Sequence, residues 1–416
     1  MFDTHAFITE LADAGIQLSL VDSNLKLTSA TGAPPDSQLL ARIKQQKQVI
    51  IGYFKSLGGF NYSEPVVEKV TLAEGALLRE EKLQEQDGQQ NQWANMQLKQ
   101  LSSDSAALLM VTPAVEDIST GNTWQLSPPE KEHLLYRLSR HGALLFRGTG
   151  LDSPEKVKQF AEQFITELYV SNTEHQEIAN IKGVQSPVEY ANEQFLLWHN
   201  ENTFNHSWPS KIAFSCLKPA PLGGQTPLVD TRQFCARLPE ELLSKFAELG
   251  VMYVRHYHKT DKFGLGWQTV FNTDDKEEVE KKCQQQGIVY QWRNNCRLIT
   301  KAVRPAFMEH PVTREKCWVS QITHWHPLCL PQQVLGSMQA MFAVDEFPRN
   351  CLFGNGEPIS GEDIALIVDA YMQAQFAFDW QAGDFLLVDN IVMAHARAPF
   401  AGDRKLCVVM GDMVAF

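Results

Sequence analysis

The sequence predicts an α+β protein in which a small helix–hairpin–helix unit precedes one larger domain that ends in strands. Apolar and polar residues alternate over residues 17–28 around Asp22-Ser23-Asn24, which is the pattern of a β-hairpin. Two short apolar runs, FLLVDN at 385–390 and KLCVVMG at 405–411, lie just after Gly-Asp pairs and are typical of buried strands. A chain of 416 residues has room for two or three domains.

The N-terminal unit is expected over residues 1–60. Apolar residues recur at helical spacing over 2–14, and the run ends at Ala14-Gly15, which predicts a short first helix. After the hairpin, Asp36 or Ser37 is placed to cap a second helix that extends to Gly58-Gly59.

Residues 61–105 differ in composition from the segments on either side. Seven glutamines lie between Gln84 and Gln100, which predicts a linker that has room for a solvated helix. From residue 106 to residue 416 the chain is expected to form one domain. Its first elements are a helix in LSPPEKEHLLYRLSRHG, ended by Gly142, and a buried strand in ALLFRG.

Composition and charge exclude several classes of partner. The chain has 37 Lys and Arg residues against 49 Asp and Glu residues, a formal charge of -12, and no basic segment that would bind nucleic acid. No apolar run reaches the ~18 residues of a membrane span, and the start lacks a signal-peptide pattern. We therefore expect a cytoplasmic protein with no membrane partner. Its eight cysteines stand singly, which favours reduced packing residues.

The residues that carry chemistry begin with His199-Asn200-Glu201. On a strand, residues i and i+2 lie on the same face, so the imidazole and the carboxylate would point together. A distant histidine would complete a facial triad of two histidines and one carboxylate, which holds Fe(II) and leaves positions for substrate and oxygen. His395, after the predicted strand FLLVDN, is the best candidate. The His-x-Glu pattern alone is common by chance, so its surroundings decide the interpretation.

Two further residues supply those surroundings. Thr226 follows the first motif in GGQTPLVDTR, and Arg404 follows His395 in PFAGDRK. A chelating 2-oxo acid needs a guanidinium fork for its far carboxylate and a hydroxyl donor beside that carboxylate. Arg404 and Thr226 are able to supply both groups.

With these residues in place, HNENTFNHSWPSKIAFSCLKPAPLGGQTPLVDTR, HGALLFRG and GDFLLVDNIVMAHARAPFAGDRK resemble the TauD/TfdA group of Fe(II)/2-oxoglutarate dioxygenases, and within it the SyrP-like enzymes of nonribosomal peptide pathways. The resemblance covers about residues 106–416 and implies a double-stranded β-helix, or jelly roll. It also implies that His199, Glu201 and His395 bind iron, that Thr226 and Arg404 hold 2-oxoglutarate, and that O2 is a co-substrate. Glu201 stands where many relatives outside this subgroup have Asp. The presence of a carboxylate argues against a halogenase, which needs a small residue there.

The N-terminal unit resembles a TubC-type, or β-hairpin, docking domain, through LADAGIQLSLVDSNLKL and APPDSQLLARIKQQKQVIIGYF. This resemblance implies that residues 1–60 bind the short C-terminal tail of a carrier protein or synthetase subunit by strand addition. Basic residues after the turn would meet an acidic tail, although a solvated helix face explains them equally well. They are Lys26, Arg42, Lys44 and Lys47.

Other residues near the motifs have competing interpretations. Arg397 would serve a substrate carboxylate or carbonyl, or form a structural ion pair. His324 is a candidate pocket-lining residue for substrate. His324-Trp325-His326 and His256-Tyr257-His258 repeat the spacing of the first motif without a matching carboxylate, so metal binding is not expected there. Trp198 and Trp208 are expected to pack, and Asn390 to orient the strand before His395 through its amide.

The sequence thus predicts an Fe(II)- and 2-oxoglutarate-dependent hydroxylase that acts, at the β-carbon, on an amino-acyl or peptidyl group tethered to a carrier protein in nonribosomal peptide or hybrid polyketide synthesis. Two alternatives keep the same iron centre: desaturation or cyclisation of that group, and reaction with a free small molecule. A third is a non-enzymatic assembly-line scaffold, which the intact metal and co-substrate residues oppose.

Overall fold

The computed structural model describes residues 7, 11, 16–21, 24–29, 36–50, 66–67, 70–73, 75–81, 93, 95–103, 106–114, 124–170, 176–178, 181–257, 264–293 and 297–416. Its strands, in chain order, are β1 Ile16–Val21, β2 Asn24–Ser29, β3 Arg79–Glu81, β4 Met96–Ser102, β5 Ala107–Pro113, β6 Ala143–Phe146, β7 Leu196–His199, β8 Ser207–Lys218, β9 Leu222–Gly223, β10 Leu228–Asp230, β11 Val251–Tyr257, β12 Ile288–Arg293, β13 Arg297–Arg304, β14 Phe307–Glu309, β15 Lys316–Trp318, β16 Arg349–Phe353, β17 Phe385–Asp389, β18 Met393–Arg397, β19 Phe400–Ala401 and β20 Lys405–Ala415.

The α-helices of the same residues are α1 Ser37–Gln45, α2 Pro128–His141, α3 Pro154–Ala161, α4 Thr231–Cys235, α5 Glu240–Leu249, α6 Trp267–Phe271, α7 Lys276–Gln285, α8 Ile322–Trp325, α9 Gln332–Met341 and α10 Gly361–Ala374. Short 3-10 helices lie at Pro327–Cys329 and Val344–Glu346. Within the ranges given above, no helix is both long enough and apolar enough to cross a bilayer.

The N-terminal unit contains the predicted hairpin. β1 and β2 pair antiparallel, with Val21 opposite Asn24; the turn residues Asp22 and Ser23 lie outside the described residues. The carboxylate of Asp36 accepts hydrogen bonds of 2.8 Å from the backbone N–H groups of Gln38 and Leu39, which confirms the predicted cap of α1. Of the first predicted helix only Phe7 and Leu11 are described, and the end of the second, beyond residue 50, is not.

A small core of its own holds this unit together. Side chains from the first helical residues, from β1 and from the α1 region meet there, away from the other clusters of the described residues. Its buried members are Phe7, Leu11, Ile16, Leu39, Ile43 and Ile50.

The expectation of a linker over 61–105 is wrong for much of that segment. β3 and β4 pair with each other, and β4 pairs with β5, so both belong to the largest sheet of the protein. Leu98 and Leu101 on β4 are buried in its cores. Met96 and Leu98 enter one core and Leu101 the other, so β4 forms because its apolar residues are buried on both faces of the sheet, which outweighs the polarity that the glutamines add. The most glutamine-rich stretch, 82–92, lies outside the described residues.

The large sheet has the strand order β20-β8-β17-β6-β5-β4-β3 and is antiparallel except for the β5–β6 pair. The runs ALLFRG, FLLVDN and KLCVVMG supply β6, β17 and β20, as predicted. The predicted helix α2 begins where Glu130 accepts hydrogen bonds from the backbone and hydroxyl of Ser127, both 2.8 Å, and it ends at Gly142, whose φ of 76° suits glycine. Helices α2 and α3 pack against one face of this sheet.

A smaller sheet, with the order β10-β18-β7, covers the other face. The core between the two sheets joins Ile212, Phe214 and Leu386 from the large sheet to Leu228 and Met393 from the small one. Two sheets that share a core in this way agree with the expected double-stranded β-helix. A third sheet, β12-β13-β11-β16, is formed by the segment between the two halves of the metal site described next.

Candidate metal centre and active site

His199 and His395 lie opposite each other on neighbouring strands of the small sheet. β7 and β18 pair antiparallel with His199 directly opposite His395, and the two ring centroids are 4.3 Å apart. β7 ends at His199, so Glu201 lies in the following turn and not on the strand as the sequence suggested. That turn passes through Asn202, whose φ of 60° is left-handed. The tight turn brings the carboxylate back beside the first imidazole.

The three side chains form a compact ligand set. Oε2 of Glu201 is 3.6 Å from Nε2 of His199 and 3.7 Å from Nε2 of His395. One ligand atom from each residue lies within 4.8 Å of the others, and all three residues are buried. No other group of three ligating side chains is found in the described part of the chain. A buried carboxylate between two imidazole nitrogens fits a divalent cation, because the cation offsets the cost of burying the negative charge.

The hydrogen bond made by Nδ1 of His199 leaves Nε2 as the metal-binding nitrogen. Nδ1 lies 2.9 Å from the backbone oxygen of Leu197, and a carbonyl oxygen only accepts hydrogen bonds. Nδ1 therefore carries the proton, which leaves the lone pair of Nε2 for a metal ion.

Asn390 holds the turn that carries Glu201. Its amide nitrogen donates to the backbone oxygens of Glu201 (3.0 Å) and Pro209 (2.7 Å), and its amide oxygen accepts from the backbone N–H of Glu201 (2.7 Å). The backbone oxygen of Asn390 accepts from the side chain of Asn200 at 2.8 Å. The amide thus orients the turn after β7 and the start of β8, whereas the sequence suggested that it orients the strand before His395.

The structure places His324, on α8, against the first metal ligand. Its ring centroid is 3.8 Å from that of His199, and its Nε2 lies 2.9 Å from the backbone oxygen of Leu197. Burial lowers the pKa of His324 well below the usual value, so the ring is neutral.

Neither described member of the remaining histidines belongs to the ligand set. His326 is buried, its Nδ1 accepts from the backbone N–H of Leu328, and burial lowers its pKa to about 3. His256 lies on β11, and His258 is outside the described residues.

Thr226 lies in the loop that connects β9 to β10, and the side chain of Arg404 lies against Gly224 of the same loop. The hydroxyl oxygen of Thr226 accepts a hydrogen bond of 3.2 Å from the indole nitrogen of Trp380, so its proton is left to donate elsewhere. Arg404 forms no hydrogen bond and no salt bridge with any residue that the structure describes, although Phe400 lies under its guanidinium at 5.3 Å. Burial and the nearby Arg397 lower the pKa of Arg404 to about 10. An unpaired, partly buried guanidinium beside a hydroxyl donor fits a carboxylate ligand.

The glycines of GGQT allow this loop to approach closely. A Cβ on Gly223 would lie 2.2 Å from the backbone oxygen of Pro399, and one on Gly224 would lie 3.2 Å from both Cδ and Nε of Arg404. Both glycines have positive φ, 71° and 78°. The two glycines therefore let the loop pack closely against Pro399 and the Arg404 side chain.

Arg397 is engaged with the backbone of its own domain. Its guanidinium donates to the backbone oxygens of Tyr190 (3.0 Å), Ala191 and Gln194 (2.9 Å). These bonds hold the loop before β7, so backbone oxygens, and not an ion pair, fill the structural role of this residue. Trp198 and Trp208 are fully buried, as expected for packing residues.

The sequence names His324 as a candidate pocket-lining residue but does not connect Trp380, Ser320 or Thr323 to the site. A single tryptophan in FDWQAGD has no spacing signal that would connect it to Thr226. In SQITHWH, the histidines were noticed, but the contacts of Ser320 and Thr323 with the metal-bearing strand depend on the fold alone.

The sheets and the buried His-Glu-His set define the class of this protein: an iron-dependent oxygenase. The family model described as taurine catabolism dioxygenase TauD, TfdA family matches residues 109–410. The dapdiamide synthesis protein DdaC of Enterobacter agglomerans is 31% identical over 318 residues, which cover 76% of this chain and 94% of that protein. The chain belongs to the TauD/TfdA family of Fe(II)/2-oxoglutarate-dependent dioxygenases, whose cofactors are iron, 2-oxoglutarate and O2.

More distant proteins are also similar to this chain. A clavaminate synthase-like protein of Arabidopsis thaliana is 26% identical over 292 residues, which cover 67% of this chain and 83% of that protein. A solved taurine dioxygenase from Burkholderia xenovorans is 18% identical, with a TM-score of 0.45 over 77% of this chain and 95% of that chain.

Proposed function

We propose that this dioxygenase hydroxylates, at the β-carbon, an amino-acyl or peptidyl group held as a thioester on a carrier protein, in nonribosomal peptide or hybrid polyketide synthesis. The resemblance to SyrP-like enzymes supports this proposal, and so does the name of the 31% identical relative, a dapdiamide synthesis protein. The observation that carries it is the N-terminal unit, which has a small core of its own and whose described residues contribute no ligand to the metal centre.

In this proposal, His199, Glu201 and His395 hold iron through Nε2, Oε2 and Nε2. Iron with 2-oxoglutarate and O2 supplies the oxidant that breaks an unactivated C–H bond. Arg404 pairs with the far carboxylate of 2-oxoglutarate, and Thr226 donates its hydroxyl proton to the same group. The buried walls of the site keep water away from the reacting carbon, so its position relative to the metal decides which hydrogen is removed.

The N-terminal unit, residues 1–60, is the proposed docking domain. Its hairpin would receive the C-terminal tail of a carrier protein or synthetase subunit as an added strand. On α1 and just after it, the basic side chains of Arg42, Lys44 and Lys47 are exposed to solvent, and Arg42 also lies 4.5 Å over the ring of Phe7. An acidic tail would complement these charges.

Intact-protein mass spectrometry tests the proposal. The full-length protein with Fe(II), 2-oxoglutarate and ascorbate is incubated with candidate loaded carriers, and in parallel with the same acyl groups as free acids. A gain of one oxygen atom on the carrier-bound group alone supports hydroxylation of a tethered substrate. Loss of two hydrogen atoms would instead indicate desaturation or cyclisation, and reaction of the free acid would remove the need for a carrier. Absence of succinate with every substrate would favour the scaffold alternative.

A further inference from the structure

The strand that carries His199 lies at the edge of its sheet. In the order β10-β18-β7, β7 has a strand on one side only. The backbone polar groups along the open side of an edge strand need partners when they are buried. The segment that contacts the open side of β7 therefore affects how firmly the metal ligand His199 is held.

The segment Ser320–His324 covers this edge, and we call it the edge clamp. The backbone oxygen of Ser320 accepts from the backbone N–H of Asn200 at 3.4 Å, and the hydroxyl of Thr323 donates to the backbone oxygen of Trp198. Nε2 of His324 meets the backbone oxygen of Leu197. The partners of the clamp are thus three residues of the β7 segment around the ligand His199, and two of the three bonds come from side chains.

His324 also shares an acceptor with the metal ligand. Nδ1 of His199 and Nε2 of His324 each lie 2.9 Å from the backbone oxygen of Leu197. Since this oxygen has two lone pairs and only accepts, both nitrogens carry protons, and the two rings are held in a tilted contact. The interplanar angle of 38° and the centroid distance of 3.8 Å show that His324 covers one face of the ligand ring.

We propose that His324 is a positioning residue for the metal ligand His199: it fixes the Leu197 carbonyl and the ring plane that together aim Nε2 at the metal ion. Its effect on the reaction passes through metal affinity, and it makes no contact with a reacting atom. This inference concerns the metal centre and stands apart from the identity of the substrate.

Titration of the metal-free, full-length protein with Co(II), followed by its visible absorption, tests the proposal. Glutamine places an amide N–H near the reach of Nε2, whereas phenylalanine keeps the ring contact but donates no hydrogen bond. Loss of the direct outer partner of a ligating histidine costs about 10- to 100-fold in metal affinity. His324 acts one step further out, through the Leu197 carbonyl, so we expect His324→Phe to weaken Co(II) binding by a smaller factor, roughly three- to tenfold, and His324→Gln to recover most of it.

A matched control uses the second histidine of the same segment. His326→Gln changes a buried histidine that touches none of the three ligands in the described contacts, and it should leave Co(II) affinity unchanged. Thermal unfolding of each metal-free variant separates a loss of fold from a loss of metal positioning. Equal Co(II) affinity in all variants would overturn the proposal, and so would equal losses in His324→Phe and His324→Gln. Because no substrate enters the experiment, failure of the proposed hydroxylation leaves its result unaffected.

Discussion

The side-chain amide of Asn390 pairs with both backbone groups of Glu201, donating to its oxygen at 3.0 Å and accepting from its nitrogen at 2.7 Å. This double contact links the turn after the first metal strand to the segment just before the second one. The two halves of the metal site, which are far apart in sequence, are thereby joined at the ligand that lies outside any strand.

Asn390→Ala should therefore destabilise the fold and weaken metal binding together. The substitution leaves the buried backbone groups of Glu201 without partners, at a cost of about 1–3 kcal/mol for each group. We expect the free energy of unfolding in urea to fall by about 2–4 kcal/mol, and Co(II) affinity to fall with it. Asn192→Ala, at an exposed asparagine, is the control. An unchanged urea midpoint in Asn390→Ala would show that water replaces the amide.

Replacement of His199, Glu201 or His395 by Ala should abolish product formation while the protein stays folded. Two protein ligands hold a ferrous ion poorly, since each ligand contributes directly to affinity. His206→Ala, at an exposed histidine close in sequence, should retain activity. The measurements are succinate release and far-UV circular dichroism. Full activity in His395→Ala would contradict the assigned ligand set.

Arg404→Ala should raise the 2-oxoglutarate concentration required for half-maximal rate by about ten- to a hundredfold, the worth of a charge-assisted pair of ~1.5–3 kcal/mol. Co(II) binding should be unaffected, and Lys405→Ala, at the exposed neighbour, should behave as the unmodified protein.

Arg397→Ala should lower the melting temperature instead, because three backbone oxygens lose their donor. The opposite pattern would mean that the two arginines exchange roles.

Trp380→Phe should weaken 2-oxoglutarate binding by roughly two- to tenfold, since one neutral hydrogen bond contributes about 0.5–1.5 kcal/mol. The indole N–H fixes the Thr226 oxygen as an acceptor and so aims the hydroxyl proton at the ligand. In a double-mutant cycle with Thr226→Val, the two losses should be less than additive. Additive losses would place Trp380 outside this contact. Trp124→Phe, on the opposite face of the large sheet, is the control.

Deletion of residues 1–60 should leave a folded enzyme that binds Co(II) and 2-oxoglutarate normally but needs more carrier protein for the same rate. Docking acts through effective concentration, so a high carrier concentration should restore the rate. Deletion of residues 1–105 should destabilise the protein, because it removes β3, β4 and the buried Leu98 and Leu101. Rate-versus-carrier curves, with and without the carrier tail, are the measurement. Coincident curves for full-length and 1–60-deleted protein would argue against docking.

Local chemistry explains which parts of this fold the sequence predicts. The hairpin, the Asp36 cap, the Gly142 helix end and the strands β6, β17 and β20 depend on patterns within a few residues, and all of them are found. The metal ligands are also predicted, since His-x-Glu is a local motif, His395 follows a recognisable strand, and the family resemblance implies the same three residues. Glu201 was placed on a strand because a two-residue spacing does not reveal the turn at Asn202.

Long-range contacts explain what was missed. The hydrogen bonds from Trp380 to Thr226 and from His324 to Leu197 join residues more than a hundred positions apart, and no spacing rule connects them. Arg397 lies two residues after a metal ligand, which suggested a charge partner, yet the fold supplies it with backbone oxygens. In the segment 61–105, the glutamine-rich composition predicts a linker. The strand β4 forms there because the edge of β5 is available for pairing.

The pairing of His199 with His395 also sets an order of events during biosynthesis. β7 and β18 are separated by nearly half of the chain, and the rate of forming such contacts falls as their sequence separation grows. The ligand pair cannot form until the ribosome has released β18. A nascent chain that stops before β18 therefore lacks one histidine of the iron site and cannot hold the metal ion as the folded protein would.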